Sequence, residues 1–173
     1  SGKIDLIVMG TVGTTGLQET FIGSTTEKVV RHSSVPVFVV RTAPKVTAIK
    51  KILLPTTLAF DQTNFINKVK ELQEFLHASL EVLLINTPYY FMRDADAKEA
   101  LEEFAAHYKL SNYNLHFRNY RNEEEGITDF SNEVDLIAMA THARKGLAHL
   151  FNGSITENVV NHIECPIWTY CLN

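Results

Sequence analysis

The chain has 173 residues, a length that suits one domain or slightly more, and its 45% hydrophobic and 21% charged residues are typical of a globular protein. Its formal net charge of −4 gives no sign of a strongly basic face, so we expect neither nucleic acid nor an anionic membrane as a partner. No apolar run approaches the roughly 18 residues that a membrane helix needs, and the first residues lack the pattern of a signal peptide.

The first third of the chain predicts a strand, a glycine-rich loop, a helix and a second strand. Residues 4–8 are an apolar run, residues 25–32 have helical spacing, and residues 36–40 are typical of a buried strand. The loop that follows the apolar run reads MGTVGTTGLQETFIGS. Because ligands of open α/β sheets bind beyond the carboxyl ends of strands, this loop is the first candidate site.

The same pattern returns 130 residues later. Residues 1–43 align with residues 131–173 without a gap, and 17 of the 43 positions are identical. Residues 44–130 have no counterpart in the chain. The sequence therefore predicts one complete unit at 44–173, preceded at 1–43 by the C-terminal third of a first unit.

The complete unit alternates strand and helix patterns. Its strands are predicted at residues 51–55, 80–85, 114–117, 134–140 and 166–171, and its helices at residues 64–77, 94–108, 123–132 and 154–162. Strands joined through helices form right-handed parallel crossovers, and nearly continuous apolar strands indicate a sheet that is covered on both faces. The prediction is an α/β fold with a doubly wound, five-stranded parallel sheet.

The glycine-rich loop has two interpretations. Gly10 and Gly13 allow the backbone to approach a ligand closely, and Gly23 precedes a helix whose first N–H groups favour an anion such as phosphate. Alternatively, Ser24 and Ser154 only cap their own helices, because residues 24–27 (STTE) and 154–157 (SITE) are both S-x-x-E capping boxes. The Walker motif and the usual dinucleotide fingerprint are absent from the sequence.

These residues resemble a known family, the universal stress proteins, whose nucleotide-binding members carry G-x2-G-x9-G-[S/T] between the fourth strand and the last helix. Gly10, Gly13, Gly23 and Ser24 match that spacing, and the segments DLIVMG, KKILLPTTLAFD and VPVFVV extend the resemblance over nearly the whole chain. The resemblance implies an adenine-nucleotide-hydrolase-like fold with strand order 3-2-1-4-5. It also implies units paired as a dimer or in tandem, and ATP or another adenine nucleotide bound by some members.

The resemblance also implies which residues contact the nucleotide. In the first unit they are Gly10, Gly13, Gly23, Ser24 and Thr25. In the second unit they are Pro55, Thr56, Thr57, Met139, Ala140, Ala143, Gly153, Ser154 and Ile155.

The second unit departs from the family motif at three of these positions. Ala140 and Ala143 replace the first two glycines, and each added Cβ would intrude where a ligand lies close to the backbone. Thr57 stands where the family usually carries an aspartate that contacts the nucleoside. We therefore expect the first unit to be the better nucleotide site.

The sequence offers no clear catalytic or metal-binding group. The histidines do not fall at metal-ligand spacings, and no nucleophile is paired with a base. We therefore expect a protein that is not an enzyme, with weak ATP hydrolysis as the alternative left open. Cys165 and Cys171, six residues apart in or beside one strand, are too distant for a disulfide, which predicts inert thiols of a cytoplasmic protein. His142, Arg144 and Lys145 either add donors for an anion or are solvated loop charges.

Two functions therefore remain open. The first is a stress protein that binds an adenine nucleotide, mainly in its first unit. The second is a nucleotide-free regulatory or scaffolding protein that acts through dimerisation.

The last strand of each copy is apolar on both faces, which is a hazard at an exposed sheet edge. We expect residues 36–40 to pair with residues 166–171, within the chain or between chains, and separately we expect a homodimer. Light scattering on the purified chain should give the mass of two copies. A monomer at all accessible concentrations would contradict the dimer.

Overall fold

The computed structural model describes residues 4–10, 24–40, 48–142, 163 and 165–172. The strands in this part of the chain are β1 (Ile7–Gly10), β2 (Val37–Val40), β3 (Lys51–Thr56), β4 (Ser79–Asn86), β5 (Tyr113–Asn119), β6 (Leu136–His142) and β7 (Ile167–Leu172). The helices are α1 (Ser24–His32), α2 (Thr63–Leu76), α3 (Asp94–His107) and α4 (Glu123–Phe130), followed by a short 3-10 turn at Ser131–Glu133. The predicted helix at 154–162 lies outside the described residues.

All seven strands belong to one sheet, in the order β1-β2-β7-β6-β3-β4-β5. Strands β3 to β7 are mutually parallel, and numbered within the second unit their order is 3-2-1-4-5. The predicted α/β fold and its strand order are therefore confirmed. The sheet is wider than the predicted five strands, because β1 and β2 extend it on the β7 side.

The last strands of the two copies pair with each other inside this chain. β2 lies antiparallel to β7, with Val37 opposite Thr169 and Val39 opposite Ile167. The side-chain hydroxyl of Thr169 also donates to the carbonyl of Val37, at 3.4 Å. Since β1 is parallel to β2, the first two strands run opposite to the other five.

The two copies of the repeat have the same local geometry. Ile7 lies opposite Val37 in the β1–β2 pair, and Ile137 lies opposite Ile167 in the β6–β7 pair, 130 positions further on. The backbone N–H of Ile7 donates to the carbonyl of Pro36 at 3.0 Å, and the same bond joins Ile137 to Pro166. Residues that match in the sequence repeat therefore also have matching partners in the two pairs of strands.

Helices cover both faces of the sheet, as a doubly wound fold requires. One apolar cluster joins α2 and α3 to β3, β4, β6 and Trp168 of β7, and a second joins α4 to the opposite face of β4 and β6. Val30 of α1 packs on Val37 and Val39 of β2 in a third cluster. None of the four helices combines the length and the hydropathy that a membrane span requires.

Gly126 brings α4 close to the sheet. A Cβ built at this position would lie 2.7 Å from Cδ1 of Ile85 and 2.8 Å from Cδ2 of Tyr120. Both distances are shorter than real Cβ contacts, so with any larger residue the side chains of Ile85 and Tyr120, or the helix itself, would have to shift.

A buried carboxylate lies in the first half of β4. Glu81 accepts hydrogen bonds from Ser79 at 2.8 Å and Asn114 at 3.1 Å, and its second oxygen lies 2.7 Å from Nε2 of His116. Burial alone would raise the pKa of the Glu81 carboxyl, but the bonds from His116, Ser79 and Asn114 outweigh it and hold the pKa below its ordinary value. The cluster ties β4 to β5 at the end of the sheet where β4 begins.

Glu81→Gln should lower the free energy of unfolding at pH 7 by about 1–3 kcal/mol, because it removes a charge that buried donors face. Since the folded pKa is lowered, this stability is present above the unfolded pKa of about 4.3 and is lost as the pH falls through the folded value. Urea unfolding should therefore show a difference from the natural chain that shrinks as the pH falls below the unfolded pKa.

Glu71→Gln is the matched control. Glu71 is an exposed residue that pairs with Lys68 on the surface of α2, so the same change of charge should cost less than about 0.5 kcal/mol. An equal effect of the two substitutions would contradict a structural role for the Glu81 cluster.

Candidate functional site

The sheet opens between β3 and β6 at their carboxyl ends. The ladder that joins them contains two residue pairs, Ile52–Leu136 and Leu53–Ile137. On their other sides, however, β3 stays paired with β4 as far as Thr56, and β6 stays paired with β7 as far as His142. The chain continues from β3 to β4 on one side of this opening and from β6 to β7 on the other side. Open α/β sheets bind ligands at such a point.

The loop after β3 forms one wall of this opening. Pro55 and Thr56 are the last residues of β3 and are half-buried, whereas Thr57 is exposed. The hydroxyl of Thr56 accepts a hydrogen bond from the N–H of Leu58 at 2.9 Å, and Leu58 has a φ of 63°. Thr57 thus stands at the tip of a tight turn, free to face a ligand but without the charge of an aspartate.

A tyrosine from α3's C-terminal end holds the same loop in place. The hydroxyl of Tyr108 donates to the carbonyl of Ala59 at 3.0 Å and accepts from the N–H of Gln62 at 3.1 Å. Tyr108 is buried, so these bonds form away from water. One side chain therefore fixes both ends of the segment that leads from the candidate site into α2.

The loop after β4 is fixed in a similar way at the same end of the sheet. The buried side chain of Asn86 accepts from the N–H of Met92 at 2.7 Å and donates to the carbonyl of Met92 at 3.2 Å and to Oδ1 of Asn119 at 2.7 Å. The base of the loop is closed by these bonds, and its tip carries exposed Tyr89 and Tyr90.

The other wall of the opening is β6. Met139 and Ala140 are strand residues rather than loop residues, since β6 continues to His142. Met139 packs against the cluster on the α4 face, and Ala140 packs against the cluster on the α2 face. Ala143, Gly153, Ser154 and Ile155, which complete the predicted site of the second unit, lie outside the described residues, as do Arg144 and Lys145.

In the first unit, Gly10 is also the last residue of its strand, β1. It is exposed, and a Cβ built on it would meet no atom of the described residues within 4 Å. By contrast, the methyl group of the matching Ala140 packs on the core.

The first turn of α1 is tied to this strand end. The hydroxyl of buried Thr26 donates to the carbonyl of Gly10 at 3.2 Å, which places the start of α1, at Ser24 and exposed Thr25, beside the end of β1. The sequence prediction did not single out Thr26. Its signal was the repeat itself, because Thr156 occupies the matching position. Gly13 and Gly23 lie outside the described residues.

The two candidate sites lie at opposite ends of the sheet. β1 and β2 run antiparallel to the five strands of the second unit, so the carboxyl end of β1 points away from the carboxyl ends of β3 and β6. Gly10 and Ala140 therefore belong to two separate sites.

Burial, with the negative charge of Asp135, raises the pKa of the Cys165 thiol to about 12, as expected for an inert thiol, and neither Cys165 nor Cys171 is in a disulfide. Among the described residues, no group of three or more His, Cys, Asp and Glu side chains is placed to hold a metal ion.

Comparison with known proteins gives one family. The sequence matches the universal stress protein family over residues 1–41 and 48–170. A universal stress protein of Methanocaldococcus jannaschii is 49% identical over 43 residues, which are 25% of this chain and 25% of that protein.

Two solved structures are similar in fold. A universal stress protein from Archaeoglobus fulgidus has a TM-score of 0.70 at 18% identity, over 96% of this chain and 60% of that chain. A universal stress protein from the same organism, in complex with dAMP, has a TM-score of 0.50 at 15% identity, over 73% of this chain and 99% of that chain. This chain thus spans 60% of the first structure's length and a quarter of the curated relative's.

Tyr108→Phe should lower the free energy of unfolding by about 1–2 kcal/mol, because it leaves the carbonyl of Ala59 and the N–H of Gln62 without their partner. Hydrogen exchange should also become faster in residues 57–62 than in β4. Tyr89→Phe makes the same chemical change at an exposed position and should alter stability by less than about 0.5 kcal/mol. Unchanged exchange in the loop would show that Tyr108 does not hold it.

Proposed function

Since the chain belongs to the universal stress protein family, we propose that it binds an adenine nucleotide such as ATP at the carboxyl ends of its parallel strands, mainly in the first unit. The proposed role is binding without catalysis, and no metal is part of it. Gly10, Gly13, Gly23, Ser24 and Thr25 would form the phosphate side of the first site.

The observation that carries this proposal is that no described residue comes within 4 Å of a Cβ built on Gly10. A bare backbone at the end of a parallel strand lets a phosphate come within hydrogen-bond distance of main-chain N–H groups. The bond from Thr26 to Gly10 sets the start of α1 beside it, and the N-terminus of a helix favours negative charge. The dAMP carried by a structure of similar fold has the chemistry that this arrangement suits.

The second unit supports a weaker nucleotide site. Its β3–β6 opening gives a crevice of the right kind, with Pro55 and Thr56 on one wall. Against this, Ala140 fills the position of the first glycine, and exposed Thr57 offers a hydroxyl where an aspartate would accept two hydrogen bonds from a ribose.

A second candidate function rests on the β2–β7 pairing. The two units are joined through their last strands inside one chain, an arrangement that suits a scaffold whether or not nucleotide binds. In that case the chain would act as a nucleotide-free regulatory protein, through surfaces that both units present. A nucleotide titration distinguishes the two functions.

Gly10→Ala and Ala140→Gly make opposite changes at matching positions. We expect Gly10→Ala to weaken ATP and dAMP binding at least about tenfold in titration calorimetry, since one methyl group displaces a phosphate held against the backbone. We expect the variant to fold, because the added Cβ meets no atom of the residues that the structure describes and alanine raises stability by up to about 1 kcal/mol. Ala140→Gly should leave the main binding event unchanged and cost about 0.5–1 kcal/mol of stability.

Three outcomes would contradict the proposal in different ways. Equal binding by the Gly10→Ala variant would move the site to the second unit or elsewhere. Improved binding by Ala140→Gly alone would show that the second unit carries the function. No heat with either nucleotide, for the natural chain and both variants, would favour the nucleotide-free role.

A further inference from the structure

Exposed aromatic side chains gather at the carboxyl end of the sheet. Tyr89, Tyr90 and Phe91 form the aromatic tip of the loop after β4, and they are 90%, 77% and 72% exposed. Phe60, in the loop after β3, is 50% exposed, and its ring packs edge-on against the ring of His107, with the centroids 4.9 Å apart. Because a contiguous exposed apolar patch commonly marks a binding site, the two loops are candidate binding elements.

Backbone hydrogen bonds hold the aromatic tip in place. The N–H of Tyr90 donates to the carbonyl of Thr87 at 3.1 Å, and the two residues form an antiparallel β-bridge. Pro88, between them, has a fixed φ, and Asn86 closes the base of the loop through both backbone groups of Met92. A surface that is ordered before binding loses little conformational entropy when a ligand arrives.

The aromatic tip stands beside the β3–β6 opening. Strand β4 is the neighbour of β3, and it continues to Asn86, two residues beyond Leu84, which is the partner of Thr56. At about 3.3 Å per residue and about 4.8 Å between strands, its loop begins roughly 7 Å beyond the end of β3 and roughly 10 Å to the side of β6. The tip therefore lies at the height where a ligand in the opening would project from the sheet.

The two loops and the wall of the opening also share one face of the sheet. Leu58 of the loop after β3, Met92 of the loop after β4 and Ala140 of β6 all pack against the same apolar cluster, which joins α2 and α3 to the sheet. The aromatic tip therefore belongs to the surroundings of the β3–β6 opening.

The charges around the aromatic tip favour an uncharged ligand. Residues 86–92 contain no Lys, Arg, His, Asp or Glu, and the next cation along the chain, Arg93, is paired with Asp96 through two hydrogen bonds at 2.8 and 3.0 Å. Asp94 begins α3, and Asp61 lies in the loop after β3. Because carboxylates repel phosphates and an aromatic ring stacks without a charge, the tip suits the planar ring of a base.

We propose that the aromatic tip stacks on the base of a nucleoside in the β3–β6 opening, so that the second unit binds a nucleoside without requiring its phosphates. This inference rests on the proposed function, since it takes the β3–β6 opening as a second site of the nucleotide-binding kind. Exposed Thr57 offers its hydroxyl to the ribose. Ala140 disfavours phosphates close to the backbone, and stacking supplies affinity for the base instead.

Adenosine, which has no phosphate, is the probe for this site. We expect titration calorimetry to detect adenosine binding to the natural chain and, with equal affinity, to the Gly10→Ala variant, because the phosphate side of the first site takes no part. Tyr89→Ala combined with Tyr90→Ala should weaken adenosine binding at least about tenfold, since stacking contributes about ten- to a hundredfold per base. Inorganic triphosphate, which has phosphates but no base, should not displace adenosine.

Two further variants separate stacking from other effects. Tyr89→Phe combined with Tyr90→Phe keeps both rings and should bind adenosine within about twofold of the natural chain. Phe75→Ala removes an exposed ring from α2 and should leave adenosine binding unchanged. Since all these side chains are exposed, circular dichroism should show folded variants with the thermal unfolding of the natural chain.

The inference is overturned if adenosine does not bind, if the double alanine variant binds it as tightly as the natural chain, or if inorganic triphosphate displaces it. It is also overturned if the alanine substitutions convert a dimer into a monomer in light scattering, because the tip is then an interface between copies. A parallel titration with ATP tests the proposed function separately. ATP binding without adenosine binding overturns this inference alone, whereas a chain that binds neither overturns both.

Discussion

Three residue pairs between β2 and β7 join the two copies of the repeat into one sheet. These strands are apolar on both faces, and if they were unpaired they would leave two aggregation-prone edges in one molecule. By pairing with each other they cover both edges, and Phe38 comes to lie opposite Trp168, which packs on Phe65 of α2. The first copy has one described helix, and through Phe38 it also packs against the apolar core of the second copy.

The direction of that pairing determines how the molecule can work. Because β2 and β7 are antiparallel, the carboxyl ends of the two copies point to opposite ends of the sheet. At one end Gly10 is exposed beside the bond from Thr26, and no other described residue crowds it. At the other end the crevice is walled by β3, but Ala140 contributes its methyl group to the core. The first copy thus exposes the backbone at the end of its strand, whereas the second copy covers the matching position.

Buried polar side chains hold the loops and strands around these sites. Tyr108 fixes the loop after β3, Asn86 fixes the loop after β4, and Glu81 ties β4 to β5 through Asn114 and His116. Each of them is satisfied by hydrogen bonds, which is what makes a buried polar group tolerable. None was singled out in the sequence, since a lone Tyr, Asn or Glu inside an apolar pattern does not show which distant residue will pair with it.

The sequence by itself determined the fold class, the strand order implied by the family resemblance and the 130-residue repeat. These depend on apolar periodicity and on glycine spacing, which are local or periodic signals. It also identified Gly10 and Ala140 as the positions where the copies differ. Only the tertiary structure decided that the expected pairing of β2 with β7 lies within one chain and is antiparallel, that the two sites face opposite ends, and that Leu6 and Val8 stay exposed. The physical reason is that strand direction, side-chain burial and the bond from Thr26 to Gly10 depend on contacts between residues far apart in the chain, which no local pattern specifies.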